Sequence, residues 1–233
     1  MDTDRRRRIK GWRILAVVAV VFSMLAPAEA EARGGTVIVV LHGGNGNGDN
    51  QCAKLDWGDR GFDVICPQGE AGQWNSGWSR STATRDDVAY LTDLTAGYDD
   101  IRVIGYSQGA MMGLRWSCED PRVKRVLAKS GALPRGVDCP EAGNALVLRW
   151  QGANDQIIPW VGDEYVLSIW EERRVRGGCV EVKARVTHLG LQGIVARGCG
   201  FHSRVMFGVG HASLMGRPPG WREWAWRWLT REI

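Results

Sequence analysis

The stretch Ile101-Arg102-Val103-Ile104-Gly105-Tyr106-Ser107-Gln108-Gly109-Ala110 decides the fold. An apolar run ends in Gly-x-Ser-x-Gly and passes straight into a helix-like segment, Ala110 to Cys118. A strand that turns sharply into a helix, with a serine at the corner, has the form of a nucleophile elbow. The requirement is steric. The serine sits in a strained backbone conformation and neighbouring chain passes close on both sides. The positions two before and two after it must therefore be small, and Gly105 and Gly109 are. The turn lifts the hydroxyl clear of the sheet and aims the backbone N–H of Gln108 at a developing oxyanion. The five-residue pattern alone also occurs in glycine-rich turns with an incidental serine; the preceding strand and following helix separate the two.

Working outward, the runs on either side repeat the same alternation of strand and helix. Thr36–Leu41 is a continuous β-branched apolar run, the pattern of a strand buried on both faces. Phe62–Cys66 is a second short strand, stopped by Pro67, and Val123–Ala128, Ala145–Trp150 and Arg204–Val209 are further strands. Helices are expected over Arg85–Ala96, with Val88, Leu91, Leu94 and Thr95 on one face, and over Asp163–Val175. A last helix is expected over Trp221–Leu229, with Trp221, Trp224, Ala225 and Trp228 on one face. This order predicts an α/β fold with a mostly parallel sheet covered by helices on both faces. Functional groups then gather at the carboxyl ends of the strands.

The 233-residue length suits one domain. Residues 1–30 are set apart from it. Arg5 to Arg8, Lys10 and Arg13 form a basic segment, Ile14–Leu25 is an uncharged apolar run, and Ala26-Pro27-Ala28 and Ala28-Glu29-Ala30 are small-x-small cleavage sites. That is the three-part form of a bacterial-type secretory signal. The run of twelve falls short of the roughly 20 residues that span a bilayer, so no stable membrane anchor is expected after cleavage. The domain is 31–233. Six of the 30 Lys/Arg and three of the 26 Asp/Glu lie in the leader, which leaves 24 against 23 and a net charge near +1. No basic surface argues for nucleic acid. Six cysteines, Cys52, Cys66, Cys118, Cys139, Cys179 and Cys199, are an even number in an exported chain and favour disulfides. Among the fifteen possible connectivities, nearest-neighbour pairing is favoured, Cys179–Cys199 first. The tight C-x-x-C spacing of a zinc site is absent, so metal is not expected.

A serine hydroxyl needs a base, and the base an acid to orient it. Of four histidines, His211 follows Val205-Met206-Phe207-Gly208-Val209-Gly210, a strand ending in glycine at the edge where Ser107 lies. Asp155 lies just past the strand Ala145–Trp150 in Gln151-Gly152-Ala153-Asn154-Asp155-Gln156-Ile157-Ile158-Pro159; Asp163 and Glu164 look like helix-start acids instead. Ser, Asp, His is the chain order this fold type uses. The glycine-rich loop Leu41-His42-Gly43-Gly44-Asn45-Gly46-Asn47-Gly48 offers the Gly44 N–H as a second oxyanion donor beside Gln108, with Asn45 next in line. Its spacing does not match G-x-G-x-x-G and it lacks a Gly-Lys-Ser/Thr ending, so neither a dinucleotide nor a phosphate loop is read there. No cofactor is expected.

These motifs fall in the order of the α/β-hydrolase superfamily. Cys66-Pro67-Gln68-Gly69, Gln73-Trp74-Asn75-Ser76-Gly77-Trp78 and Asp86-Asp87-Val88-Ala89-Tyr90-Leu91 further resemble the secreted polyhydroxybutyrate depolymerase/feruloyl esterase family. The resemblance runs from about residue 36 to 215. It implies an α/β-hydrolase fold without a large lid and a serine esterase with Ser107, Asp155 and His211 at the triad positions. Its substrate would be a small-molecule or polymer ester of polyhydroxyalkanoate, feruloyl or acetyl type. The turn before Asp155 carries Gln151-Gly152 where that family usually has His-Gly. Gly-Tyr-Ser-Gln-Gly-Ala also resembles the small carboxylesterase/acyl-thioesterase branch. A non-catalytic polysaccharide- or lipid-binding protein on the same scaffold is the alternative from another class. Trp74, Trp78 and Trp160 are candidate substrate-binding rings, with packing of the loops onto the sheet the plainer use of each.

Overall fold

The computed structural model describes residues 34–58, 60–140, 145–176, 182–188, 191–197, 200–212 and 220–231. The expected leader, Cys179 and Cys199 lie outside them. One eight-stranded sheet organises the described chain, in the order β2-β1-β3-β4-β5-β8-β7-β6. The strands are β1 (Thr36–Leu41), β2 (Asp63–Ile65), β3 (Asp100–Tyr106), β4 (Val123–Lys129), β5 (Leu146–Gly152), β6 (Val182–His188), β7 (Leu191–Arg197) and β8 (Phe201–Met206). The six from β2 to β8 in that order run parallel, and β7 and β6 close the edge as an antiparallel hairpin.

Helices α1 (Gly48–Leu55) and α5 (Trp221–Thr230) cover one face. Helices α2 (Asp87–Leu94), α3 (Gln108–Glu119) and α4 (Ile169–Val175) cover the other. Strand side chains alternate between the two cores. Val147 points to the α3 side and Leu148 to the α5 side, and along β4 Ala128 and Leu127 divide the same way. Both faces are apolar, which is why the central strands read as unbroken apolar runs. The disulfides Cys52–Cys66 and Cys118–Cys139 are both formed and follow the nearest-neighbour pairing.

Several expected boundaries move for local reasons. The helix expected over Asp163–Val175 begins only after Ser168. The Asp163 carboxylate instead accepts the N–H groups of Tyr165 and Val166, closing a turn, and Val166 bridges to Pro134. Ser168 and Glu171 then form a capping box that starts α4. On α2 the inward face is Asp87, Leu91 and Thr95, while Leu94 is exposed. On α5 it is Trp221, Ala225, Trp226 and Leu229, with Trp224 and Trp228 half-buried. The last parallel strand begins at Phe201, where it pairs with Val147, and ends at Met206 before a turn at Gly208 (φ 69°).

Candidate active site

The corner after β3 has the geometry its residues demand. Ser107 sits at φ 53° and ψ −122°, a conformation costly for any residue with a side chain. A Cβ on Gly105 would lie 2.4 Å from the Gly109 carbonyl oxygen, and one on Gly109 would lie 2.3 Å from that of His42. Neither contact is sterically possible, so the two glycines are what allow strand and helix to meet. Met111 N–H donates to the Ser107 carbonyl and starts the α3 ladder.

Three side chains meet at the carboxyl edge of the sheet. His211 Nε2 lies 2.9 Å from Ser107 Oγ, and His211 Nδ1 lies 2.8 Å from Asp155 Oδ2. With the ring proton on Nδ1, Nε2 is free to accept from the serine hydroxyl. Asp155 is 3% exposed, yet both oxygens are satisfied. Oδ1 accepts the N–H groups of Ile157 (3.0 Å) and Ile158 (2.9 Å), and Oδ2 accepts Gln151 Nε2 (2.8 Å) as well as the imidazole. Gln151 is fully buried and also donates to the Ile158 carbonyl. It therefore holds both the acid and the turn that carries it. The Gln-Gly at this turn was visible in the sequence as a departure; its role required the contact.

The two expected oxyanion donors flank Ser107. Gln108 N–H is the first of α3, directly after the serine. A Cβ on Gly43 would be 3.4 Å from Ser107 Cβ, and one on Gly44 would be 3.4 Å from Gln108 Oε1, so this loop lies against the elbow. His42 supports it. Its Nδ1–H donates to the Gly43 carbonyl (2.8 Å), and its Nε2 accepts the Gly69 N–H (3.0 Å). That pattern requires a neutral ring, and burial holds its pKa below the ordinary 6.5.

The three tryptophans proposed from sequence part company. Trp74 is fully buried. Its indole N–H donates to the His42 carbonyl (2.9 Å) and its backbone N–H to Gln108 Oε1 (3.0 Å). It fastens the loop that follows β1 to α3, and its ring has no face left for a substrate. Trp78 is half-buried against Met111, Ala132, Ile158 and Val166; Met111 is one helical turn past Ser107 and Ile158 donates its N–H to Asp155. Trp160 is half-buried beside Trp170, ring centroids 5.2 Å apart.

A family model described as the alpha/beta hydrolase fold matches residues 36–169, more than half of the chain. The protein belongs to the α/β-hydrolase family. Among solved structures it resembles an α/β-hydrolase enzyme, MGS-M2, from a Medee basin deep-sea metagenome library (TM-score 0.59, 10% identity, 85% of this chain and 90% of that one). It also resembles a predicted CIB-like hydrolase from Thermoplasma acidophilum (TM-score 0.54, 14% identity, 88% of each chain). A third is esterase PE8 (TM-score 0.53, 20% identity, 84% of this chain and 92% of that one). At these identities the likeness is one of fold. No curated protein matches the sequence.

Proposed function

We propose that this α/β-hydrolase is a secreted serine esterase that cleaves carboxylic esters through an acyl-enzyme. The observation that carries the proposal is the hydrogen-bonded chain Ser107–His211–Asp155 at a nucleophile elbow. Ser107 Oγ attacks the ester carbonyl while His211 Nε2 takes its proton. Asp155 holds the tautomer and stabilises the imidazolium, and His211 then protonates the leaving alcohol. The N–H groups of Gln108 and Gly44 face the tetrahedral oxyanion. Water, activated by the same histidine, releases the acid. A protein that only binds a ligand has no use for a buried acid, a matched histidine and a strained serine in one line, which disfavours the binding-protein alternative.

The chain's motifs support an ester of polyhydroxyalkanoate, feruloyl or acetyl type, with the small carboxylesterase or acyl-thioesterase branch as the second reading because of Gly105-Tyr106-Ser107-Gln108-Gly109-Ala110. Trp78 and Trp160 remain the rings available to such a group. Export is supported by the leader and by two disulfides. No helix among the described residues is long and apolar enough to cross a membrane.

Purified protein is expected to hydrolyse short p-nitrophenyl esters and to be labelled at Ser107 by a fluorophosphonate. Ser107→Ala should lower kcat by about 10⁴-fold or more. Wild-type protein with neither turnover nor labelling would defeat the proposal.

A further inference from the structure

Residue Ser130 has two features that call for a joint account. It is a non-glycine residue in left-handed backbone, at φ 49°, and it is fully buried. Glycine takes that conformation freely, whereas a serine there is strained. Its hydroxyl is used: Oγ donates to the backbone carbonyl of His211 at 3.0 Å. Its own N–H donates to the Trp150 carbonyl on β5, the strand that leads to Asp155 (2.9 Å). The residue before it, Lys129, accepts the Ser107 N–H at 2.9 Å. The end of β4 therefore touches the nucleophile, the base and the strand of the acid within two residues. Tyr106, next to the nucleophile, adds a second donor. Its hydroxyl lies 3.3 Å from the same His211 carbonyl and its ring centroid 5.5 Å from that of the imidazole. Burial and the Asp155 charge push the Tyr106 pKa up to about 12, so the phenol stays a donor throughout the working range.

We propose that Ser130, assisted by Tyr106, is a positioning residue that sets the distance between His211 and Ser107 by holding the His211 carbonyl. The inference rests on the serine-esterase reading. His211 stands on a loop that follows β8, and Asp155 restrains only its ring. A ring hinged at one nitrogen can swing away from the serine. Fixing the main chain at the same residue removes that freedom, and misplacing a catalytic group by about 1 Å costs on the order of 10²-fold in rate.

The test compares wild type, Ser130→Ala, Ser130→Gly and Tyr106→Phe, with active sites titrated by fluorophosphonate so that only folded enzyme is counted. Ser130→Ala should lower kcat about tenfold, equivalent to about 1.4 kcal/mol of barrier, with KM unchanged and the rate of labelling slowed by the same factor. Ser130→Gly relieves the backbone strain and is expected to keep or raise the melting temperature, yet to show the same loss of kcat. Tyr106→Phe should cost about threefold. A merely structural serine would instead lower the melting temperature and leave kcat per titrated site intact, which overturns the proposal. So does a Ser130→Gly enzyme as fast as wild type, because the hydroxyl then does nothing. A wild type without turnover or labelling overturns the esterase reading and this inference together; an active wild type matched by Ser130→Ala overturns this inference alone.

Discussion

The two faces of the sheet bury most of their cations in different ways. On the α3/α4 face, Arg149 is completely buried and its charge is met by a carboxylate. Glu172, also fully buried, takes Arg149 Nη1 at 3.3 Å and Arg176 Nε at 3.3 Å. Other donors go to carbonyl oxygens of Leu167, Pro159 and Leu114 and to the Ser117 hydroxyl, while the buried Arg149 Nε has no partner. On the α5 face Arg102 pairs with the Asp100 carboxylate, but the other cations meet tryptophan rings. Lys129 Nζ is 3.1 Å from the Trp221 ring centroid, Arg125 is 5.6 Å from that of Trp228, and Arg204 is 4.7 Å from that of Trp224. Neither Lys129 nor Arg125 has a carboxylate partner among the described residues. An ion network that is cut leaves a buried charge exposed to apolar surroundings, whereas a lone cation on a ring can be removed without orphaning anything. The first arrangement is brittle and the second is tolerant.

The largest effect should come from Glu172→Gln. It strands two buried guanidiniums that desolvation already disfavours, and breaking such a group costs about 3–5 kcal/mol. It should also lower kcat, because the network reaches the site. Glu172 accepts the Leu133 N–H, and Arg149 holds the carbonyls of Pro159 and Leu167, which bound the segment after Asp155. Urea unfolding would measure the first effect and ester turnover the second. A loss under about 1 kcal/mol would erase the contrast between the faces.

Lys129→Met should act in the other direction. Burial holds the Lys129 ammonium well below its ordinary 10.5. The Trp221 ring returns less than the lost hydration was worth. Between its lowered value in the folded protein and about 10.4 in the unfolded chain, the unfolded state binds more protons, so stability rises with pH across that window. The substitution removes this dependence. It should stabilise by about 1–2 kcal/mol near neutral pH, and the advantage should shrink as pH approaches 10. Urea midpoints of both proteins at pH 7 and pH 10 test this; an advantage that grows with pH would mean the lysine is stabilising as a cation.

What could be read from the residues follows the same division. Ser107, Asp155 and His211 were legible because each lies at the end of an apolar run in a fixed chain order, and a sharp turn needs Gly105 and Gly109 by sterics alone. Gln151, Ser130 and the Arg149–Glu172–Arg176 group were not. Their significance lies in contacts between residues 4 to 81 positions apart, and a polar residue within a strand does not announce its partner. Helix α1 was missed because Gly-Asp-Asn-Gln-Cys-Ala-Lys-Leu has little apolar periodicity; an Asn47 cap and the Cys52–Cys66 bond hold it instead. The β6–β7 hairpin was missed although Lys183 and Arg185 alternate with Val182, Ala184 and Val186 along β6, the period of a half-solvated strand; Gln192 and Gly193 interrupt the apolar run of β7. Trp74 was offered as a substrate ring with loop packing as its plainer use; its two hydrogen bonds draw it fully under the loop, and packing is the use it serves.

The smallest effect separates the ring contact from helix capping. Arg125 Nη1 donates to the Trp228 carbonyl at the C-terminus of α5 (2.8 Å), a favourable place for a cation worth about 0.3–1 kcal/mol. Against that, desolvation and the neighbouring Arg102 charge push its pKa down, and its buried Nε has no partner. Arg125→Met removes the gain and the costs together, and Arg102 still donates to the Leu229 and Arg231 carbonyls, so the end of α5 stays capped. The net change should lie within about 1 kcal/mol of zero, read as a urea midpoint. A loss above about 2 kcal/mol would place Arg125 with Glu172 among the brittle contacts. The tolerance of the tryptophan face would then belong to Lys129 alone.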